Sequence, residues 1–154
     1  MKKLIVLVLI AAAGLSFKTA GGGYKVGDTA IDFKMKNVDG KTISLANYKN
    51  AKGYIVIFTC NHCPYAQAYE SRIMALDKMY AAKGYPVIAI SPNDPVGIPE
   101  DSYANMQKRA ADRKYTFPYL LDETQDITRA YGATATPHVY VLQKTASGNV
   151  VQYV

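Results

Sequence analysis

The stretch from Tyr54 to Ile90 constrains the fold more than any other part of the 154-residue chain. Tyr54-Ile55-Val56-Ile57-Phe58 is a continuous run of β-branched and aromatic residues, the pattern of a strand covered on both faces of a sheet. It runs directly into Thr59 and Cys60. From Ala66 the apolar residues Ala66, Tyr69, Ile73, Leu76 and Tyr80 recur at helical spacing, which predicts one buried face of a helix. Gly84 is the expected stop, and Val87-Ile88-Ala89-Ile90 reads as a second buried strand. Strand, helix and strand in that order form a parallel crossover unit, with Cys60-Asn61-His62-Cys63 at its first turn.

The remaining segments supply what such a unit packs against. Ala30-Ile31-Asp32-Phe33-Lys34-Met35 alternates apolar with polar residues, Asp39-Gly40 is a tight-turn signal, and Lys41-Thr42-Ile43-Ser44-Leu45 reads as the returning strand of a β-hairpin. Pro92, Pro95 and Pro99 mark a loop. A helix is expected from Asp101 to Lys114, an extended segment from Phe117 to Leu121, a short helical turn from Asp126 to Tyr131, and strands over His138–Leu142 and Val150–Val154. The expected architecture is α/β: a central mixed sheet flanked by helices, preceded by the hairpin, in one domain over residues 25–154. No helical pattern follows the last strand. The domain is therefore expected to end on a strand, without a C-terminal helix.

Met1-Lys2-Lys3 followed by an unbroken apolar run from Leu4 to Ala13 has the form of a secretory signal peptide over residues 1–20, with cleavage expected after Gly14 or Ala20. The run is shorter than the ~20 residues that span a bilayer, so no stable membrane anchor is expected after processing. Gly21-Gly22-Gly23 suggests a flexible joint over residues 21–24. Export to the periplasm or an equivalent compartment would place both cysteines where a disulfide persists. The net charge of +6 falls to +3 without Lys2, Lys3 and Lys18, and the remaining basic residues are mostly scattered. Lys108-Arg109 and Arg113-Lys114 share one helix with nearby acids, the pattern of a solvated face rather than a nucleic-acid track.

The chemistry rests on the cysteine pair. An ordinary thiol is only about 3% thiolate at neutral pH, and the thiolate is what attacks. A helix N-terminus lowers that barrier, because its unpaired N–H groups and dipole favour negative charge. His62 adds a donor or a positive charge. On this reading Cys60, at the helix mouth, is the exposed nucleophile and Cys63 the more buried resolving thiol. Pro64 fits near a helix start, where its missing N–H costs nothing. A structural disulfide between the two would close too short a loop to constrain an unfolded chain much. Zinc needs four ligands, and only His62 and His138 are left to join the cysteines. Covalent haem attachment needs His after the second cysteine, where this chain has Pro64. No cofactor and no resident metal are expected.

Strand-Cys-x-x-Cys-helix, the crossover unit, and Thr136-Pro137 before a strand together resemble the thioredoxin-like superfamily. Val26-Gly27-Asp28-Thr29-Ala30-Ile31-Asp32-Phe33 is similar to the opening of its redoxin branch, the alkyl hydroperoxide reductase and thiol-specific antioxidant types. Thr59-Cys60-Asn61-His62-Cys63-Pro64-Tyr65 and Phe117-Pro118-Tyr119-Leu120-Leu121-Asp122-Glu123-Thr124-Gln125 resemble its peroxiredoxin-like members. The resemblance implies a thiol-disulfide oxidoreductase with Cys60, Cys63 and His62 in the catalytic site. It further implies a cis Pro137 with Thr136 offering its backbone to an extended substrate. Protein thiols or disulfides and an upstream redox partner would be its partners. A thiol peroxidase and a copper-delivering metallochaperone using His62 or His138 are the alternatives. Four departures stand out. The resemblance implies a closing helix after the last strand, and this chain shows none, so the domain is expected to be cut short or to leave a sheet face for a partner to cover. Thr59 and Tyr54 occupy places where thioredoxins carry an aromatic residue and a buried acid, Ala135 stands where many relatives have a third cysteine, and Val56 and Cys60 replace the Pro and Thr of the peroxidase signature.

Overall fold

The central apolar run forms β4 (Gly53–Phe58), and every one of its residues is buried. In the computed structural model, which describes residues 22–94 and 96–154, β4 lies between the parallel strand β5 (Val87–Ser91) and the antiparallel strand β7 (His138–Thr145). The expected signal segment, residues 1–20, falls outside the described residues. Around this centre are β1 (Thr29–Ala30), β2 (Met35–Asn37), β3 (Thr42–Ile43), β6 (Tyr119–Leu121) and β8 (Gly148–Tyr153). The eight strands form one mixed sheet in the order β1-β8-β7-β4-β5-β6-β2-β3.

A strand buried on both faces needs a layer on each side, because its side chains alternate. Ile55 and Ile57 point to α1 (Pro64–Tyr80) and α2 (Tyr103–Arg113), where Ile73 and Met106 meet them. Tyr54, Val56 and Phe58 point the other way, to a cluster closed by Tyr131 of α3 (Asp126–Tyr131) with Tyr140 and Leu142. Each fully buried side chain of this size contributes about 1.5–3 kcal/mol. The result is the helix-flanked mixed sheet of a thioredoxin-like fold.

Three local outcomes differ from the sequence expectation. The hairpin forms around Asp39-Gly40, but its first strand is β2, paired Met35↔Ile43, rather than Ala30–Met35. Asp32 interrupts that alternation: its carboxylate accepts from Leu45 N at 2.8 Å, Ala46 N at 3.1 Å and Ser44 Oγ at 2.7 Å, so the chain turns there to cap a short 3-10 helix. On α1, Tyr69 and Tyr80 are exposed, and the buried face is Ala66, Glu70, Ile73 and Asp77. The two acids are accepted inside because each has partners. Asp77 receives Thr116 Oγ1 at 2.7 Å and Val87 N at 3.2 Å. Finally, Gly23 and Tyr24, expected in a flexible joint, dock on α3, with Tyr24 N donating to Tyr131 O at 3.0 Å.

Beyond Tyr153 no further element is described. Ile55, Leu76, Tyr80, Tyr85, Val139 and Tyr153 line an open apolar groove of ≈ 560 Å³ along α1 and β7. The docking of Gly23 is tight enough to test. Gly132 ends α3 at φ +75°, and a Cβ there would lie 2.3 Å from Gly23 Cα. Gly132→Ala is expected to destabilise the domain by about 1–3 kcal/mol in urea unfolding, through both backbone strain and the lost approach.

Candidate active site

Helix α1 begins at Pro64, with Cys63 as its N-cap. Cys60 lies three residues earlier, just past the end of β4, and is 4% exposed, whereas Cys63 is half-buried. Thr136 faces both sulfurs: its Oγ1 is 3.1 Å from Cys60 Sγ, and the Cys63 thiol donates to its carbonyl at 3.6 Å. The Thr136–Pro137 peptide bond is cis.

This geometry reverses the expected burial of the two thiols, with Cys60 rather than Cys63 the more enclosed. Because the helix starts at Pro64 rather than near Cys60, the free N–H groups of its first turn converge on Cys63. The N–H of Ala66 does most to hold the Cys63 thiol below its ordinary value, helped by Thr136, Tyr65 N–H and the Cys60 thiol against a small cost of burial. Burial pushes the Cys60 thiol up, only partly offset by Thr136 and the Cys63 N–H, and the nearby Asp101 charge adds to the rise. Cys63 is thus the accessible, more acidic thiol, and Cys60 the buried one.

The two residues between the cysteines are held by a side chain that sequence reasoning passed over. Asp101 is 0% exposed. Its Oδ1 accepts from Asn61 N at 2.7 Å and His62 N at 3.2 Å, and its Oδ2 lies 2.6 Å from His62 Nδ1 and 2.5 Å from Asn93 Nδ2. Asn61 is pinned further by Tyr119 OH at 3.1 Å and by its own donation to Glu100 O at 3.0 Å. Asp101 sits at the end of a short 3-10 turn after the Pro-marked loop, so nothing in its sequence neighbourhood ties it to Cys60.

Glu70 was also missed, being an acid on the apolar face of α1. Its carboxylate takes Arg109 Nε at 2.8 Å, Arg113 Nε at 2.6 Å and Tyr115 OH at 2.5 Å. Burial pushes this carboxyl up, but the tyrosine and the two guanidiniums outweigh it and hold it below its ordinary value. Beside this network, Asn61, His62, Gln67, Glu100, Arg109 and Arg113 are among the residues lining a polar cleft of ≈ 640 Å³ that opens next to the dithiol.

Among the described residues, the only group placed to hold a metal is Cys60, His62 and Asp101, whose ligand atoms lie within 4.8 Å of one another. The Asp101 oxygens there already take four N–H donors. His138, the alternative copper ligand, does not join that group. Its Nδ1 accepts from Thr134 N at 3.3 Å, its ring stacks on Tyr140, and burial lowers its basicity.

A thioredoxin-like sheet with a Cys-x-x-Cys turn at a helix N-terminus and a cis proline opposite defines the class of this protein. The chain belongs to the AhpC/TSA family, whose profile matches residues 26–153. Among its relatives is a thiol-disulfide oxidoreductase ResA of Geobacillus thermodenitrificans, 28% identical over 94% of this chain and 80% of the relative. A solved structure of a conserved protein from Geobacillus kaustophilus superposes with TM-score 0.74 at 38% identity, covering 77% of this chain; this chain spans 64% of its length. The thioredoxin domain of a thiol-disulfide oxidoreductase from Bacteroides vulgatus shares the fold, with TM-score 0.68 at 16% identity over 86% of this chain and 90% of that one. No helix among the described residues is long and apolar enough to cross a membrane.

Two predictions follow from the charges in the site. With the dithiol reduced at neutral pH, substoichiometric iodoacetamide is expected to label Cys63 several-fold faster than Cys60, read by peptide mass mapping. Glu70→Gln is expected to cost about 2–4 kcal/mol at neutral pH. Because the folded carboxyl titrates below its ordinary value of 4.5, the stabilisation is present above that pH and lost as pH falls through the folded value. The gap between wild type and variant in urea melts therefore persists at pH 4.5 and shrinks only as the pH is taken below it.

Proposed function

We propose that this chain is a thiol-disulfide oxidoreductase in which Cys63 attacks and Cys60 resolves. The observation that carries the reading is the contrast within one turn. The half-buried Cys63 thiol is held acidic by helix N–H groups, beside a Cys60 thiol held protonated by burial. The ResA relative's name supports the same reaction class.

The Cys63 thiolate attacks one sulfur of a substrate disulfide, forming a mixed disulfide and expelling the other substrate sulfur as a thiolate, which takes up a proton. Cys60 then loses its proton and attacks Cys63 Sγ. The Cys60–Cys63 disulfide forms, the second substrate thiol leaves, and two electrons have passed to the substrate. Run backwards, the same steps oxidise a dithiol. A buried, protonated Cys60 does not compete for the first attack, and its place in the same turn makes the second step intramolecular. Thr136, beside both sulfurs, is where an extended substrate backbone would pair, with Pro137 keeping its own backbone from donating. The N-terminal signal pattern supports work outside the cytoplasm on protein thiols or disulfides, with an upstream partner resetting the pair.

One observation favours a second reading, a thiol peroxidase. The more acidic and more accessible thiol is Cys63, although Val56 and Cys60 stand where the peroxidase signature around it would have Pro and Thr. Cys63 would take an oxygen from a hydroperoxide to give a sulfenic acid and an alcohol, and Cys60 would condense with that acid to a disulfide and water. Cysteine-dependent peroxide consumption tests it.

Insulin reduction, with Cys60→Ser and Cys63→Ser as controls, tests the main reading. Cys60→Ser is expected to accumulate a mixed disulfide on Cys63, and Cys63→Ser to trap little. No cysteine-dependent exchange would remove the reading, and trapping through Cys60 in Cys63→Ser would reverse the roles.

A further inference from the structure

A carboxylate without solvent contact is costly unless every lone pair finds a donor. Asp101 meets that condition without a lysine or arginine partner: its four donors are Asn61 N, His62 N, the His62 ring and the Asn93 amide. Three of the four belong to the two residues between the cysteines. The buried charge is thus committed to the active-site turn, not to general stability. The His62 ring is the one partner in the set that can itself become positively charged.

We propose, resting on the oxidoreductase reading above, that Asp101 is a positioning residue that fixes His62 with its proton on Nδ1, leaving Nε2 as the nitrogen that exchanges a proton during thiol transfer. The hydrogen bond of 2.6 Å to Asp101 Oδ2 commits Nδ1–H, since an ionised carboxylate can only accept. The remaining nitrogen is then the one able to work, and the His62 side chain is 38% exposed at the rim of the polar cleft. As the substrate disulfide opens, the expelled thiolate takes the proton from Nε2–H of the imidazolium and leaves as a thiol, with His62 left neutral. In the reverse direction Nε2 takes the proton from an incoming thiol. The Asp101 carboxylate, 2.6 Å from Nδ1, stabilises the imidazolium, as a buried carboxylate does for a histidine base in hydrolases. Its two backbone contacts hold the Asn61-His62 segment so that both sulfurs keep facing Thr136.

Nitrogen-15 NMR of the histidine rings reads this directly, and the chain has only two histidines to assign. At a pH where His62 is neutral, the wild type is expected to show Nδ1 protonated and Nε2 bare; an Nε2–H form overturns the proposal without any variant. Asp101→Asn is expected to shift the ring towards Nε2–H and to slow mixed-disulfide formation about tenfold or more. His62→Ala is expected to slow it comparably, and the double variant no further than either alone. Retention of Nδ1–H in Asp101→Asn, or additive losses in the double variant, overturns the proposal. Should Asp101→Asn not fold, Asp101→Glu keeps an ionised acceptor and is expected to keep the Nδ1–H form; losing it overturns the proposal. The ring spectrum needs no turnover, so a failure here is distinct from an absence of thiol exchange.

Discussion

The chain must leave β4, buried on both faces, and start α1 within the five residues Thr59 to Cys63. A turn that short, at the edge of a dry core, leaves backbone N–H and C=O groups that water cannot reach. Their partners come from elsewhere in the chain: Asp101 takes two of the N–H groups, Gln67 Nε2 reaches Asn61 O at 2.7 Å, and Thr59 N donates to Ile90 O at 2.8 Å. The site therefore depends on the loop after β5 as much as on its own motif. β4 sets where the turn begins, α1 sets which sulfur meets the helix N-terminus, and Asp101 sets how the two intervening residues lie.

From that arrangement the chemistry follows. Starting α1 at Pro64 aims the first-turn N–H groups at Cys63 and leaves Cys60 beneath, against Thr136. The helix lowers one thiol and burial raises the other, so Cys63 gives up its proton more readily than Cys60, the asymmetry that the proposed order of attack and resolution requires. Glu70 sets the wall of the adjoining cleft. By holding Arg109 and Arg113 through their Nε atoms it keeps two guanidiniums fixed beside the dithiol.

Much of the fold was legible because its signals are local. Buried strands announce themselves as unbroken apolar runs at Tyr54–Phe58 and Val87–Ile90, Gly84 takes the left-handed conformation that ends the helical stretch, and Asp39-Gly40 makes the hairpin turn. What stayed hidden depends on distant contacts. Asp101 looks like a solvated acid at a helix start until the fold brings it under a turn some forty residues away, at Asn61. Glu70 and Asp77 break the apolar stripe of α1, so periodicity favoured Tyr69 and Tyr80, which the structure leaves exposed. The relative burial of the two thiols differs from the expectation for a related reason: spacing places both near a helix start, but only the cap position, here Cys63, decides which one lies at the helix N-terminus.

The central claim is that Cys60 and Cys63 form one reversible two-electron couple. Equilibrating the full-length protein with glutathione buffers of graded potential and weighing the quenched species by mass spectrometry tests this most directly. The account predicts a single transition between a dithiol and an intramolecular disulfide lighter by two hydrogens, abolished when either cysteine is replaced. A pair that stays reduced at every potential, or that passes into glutathione adducts without closing, would contradict it.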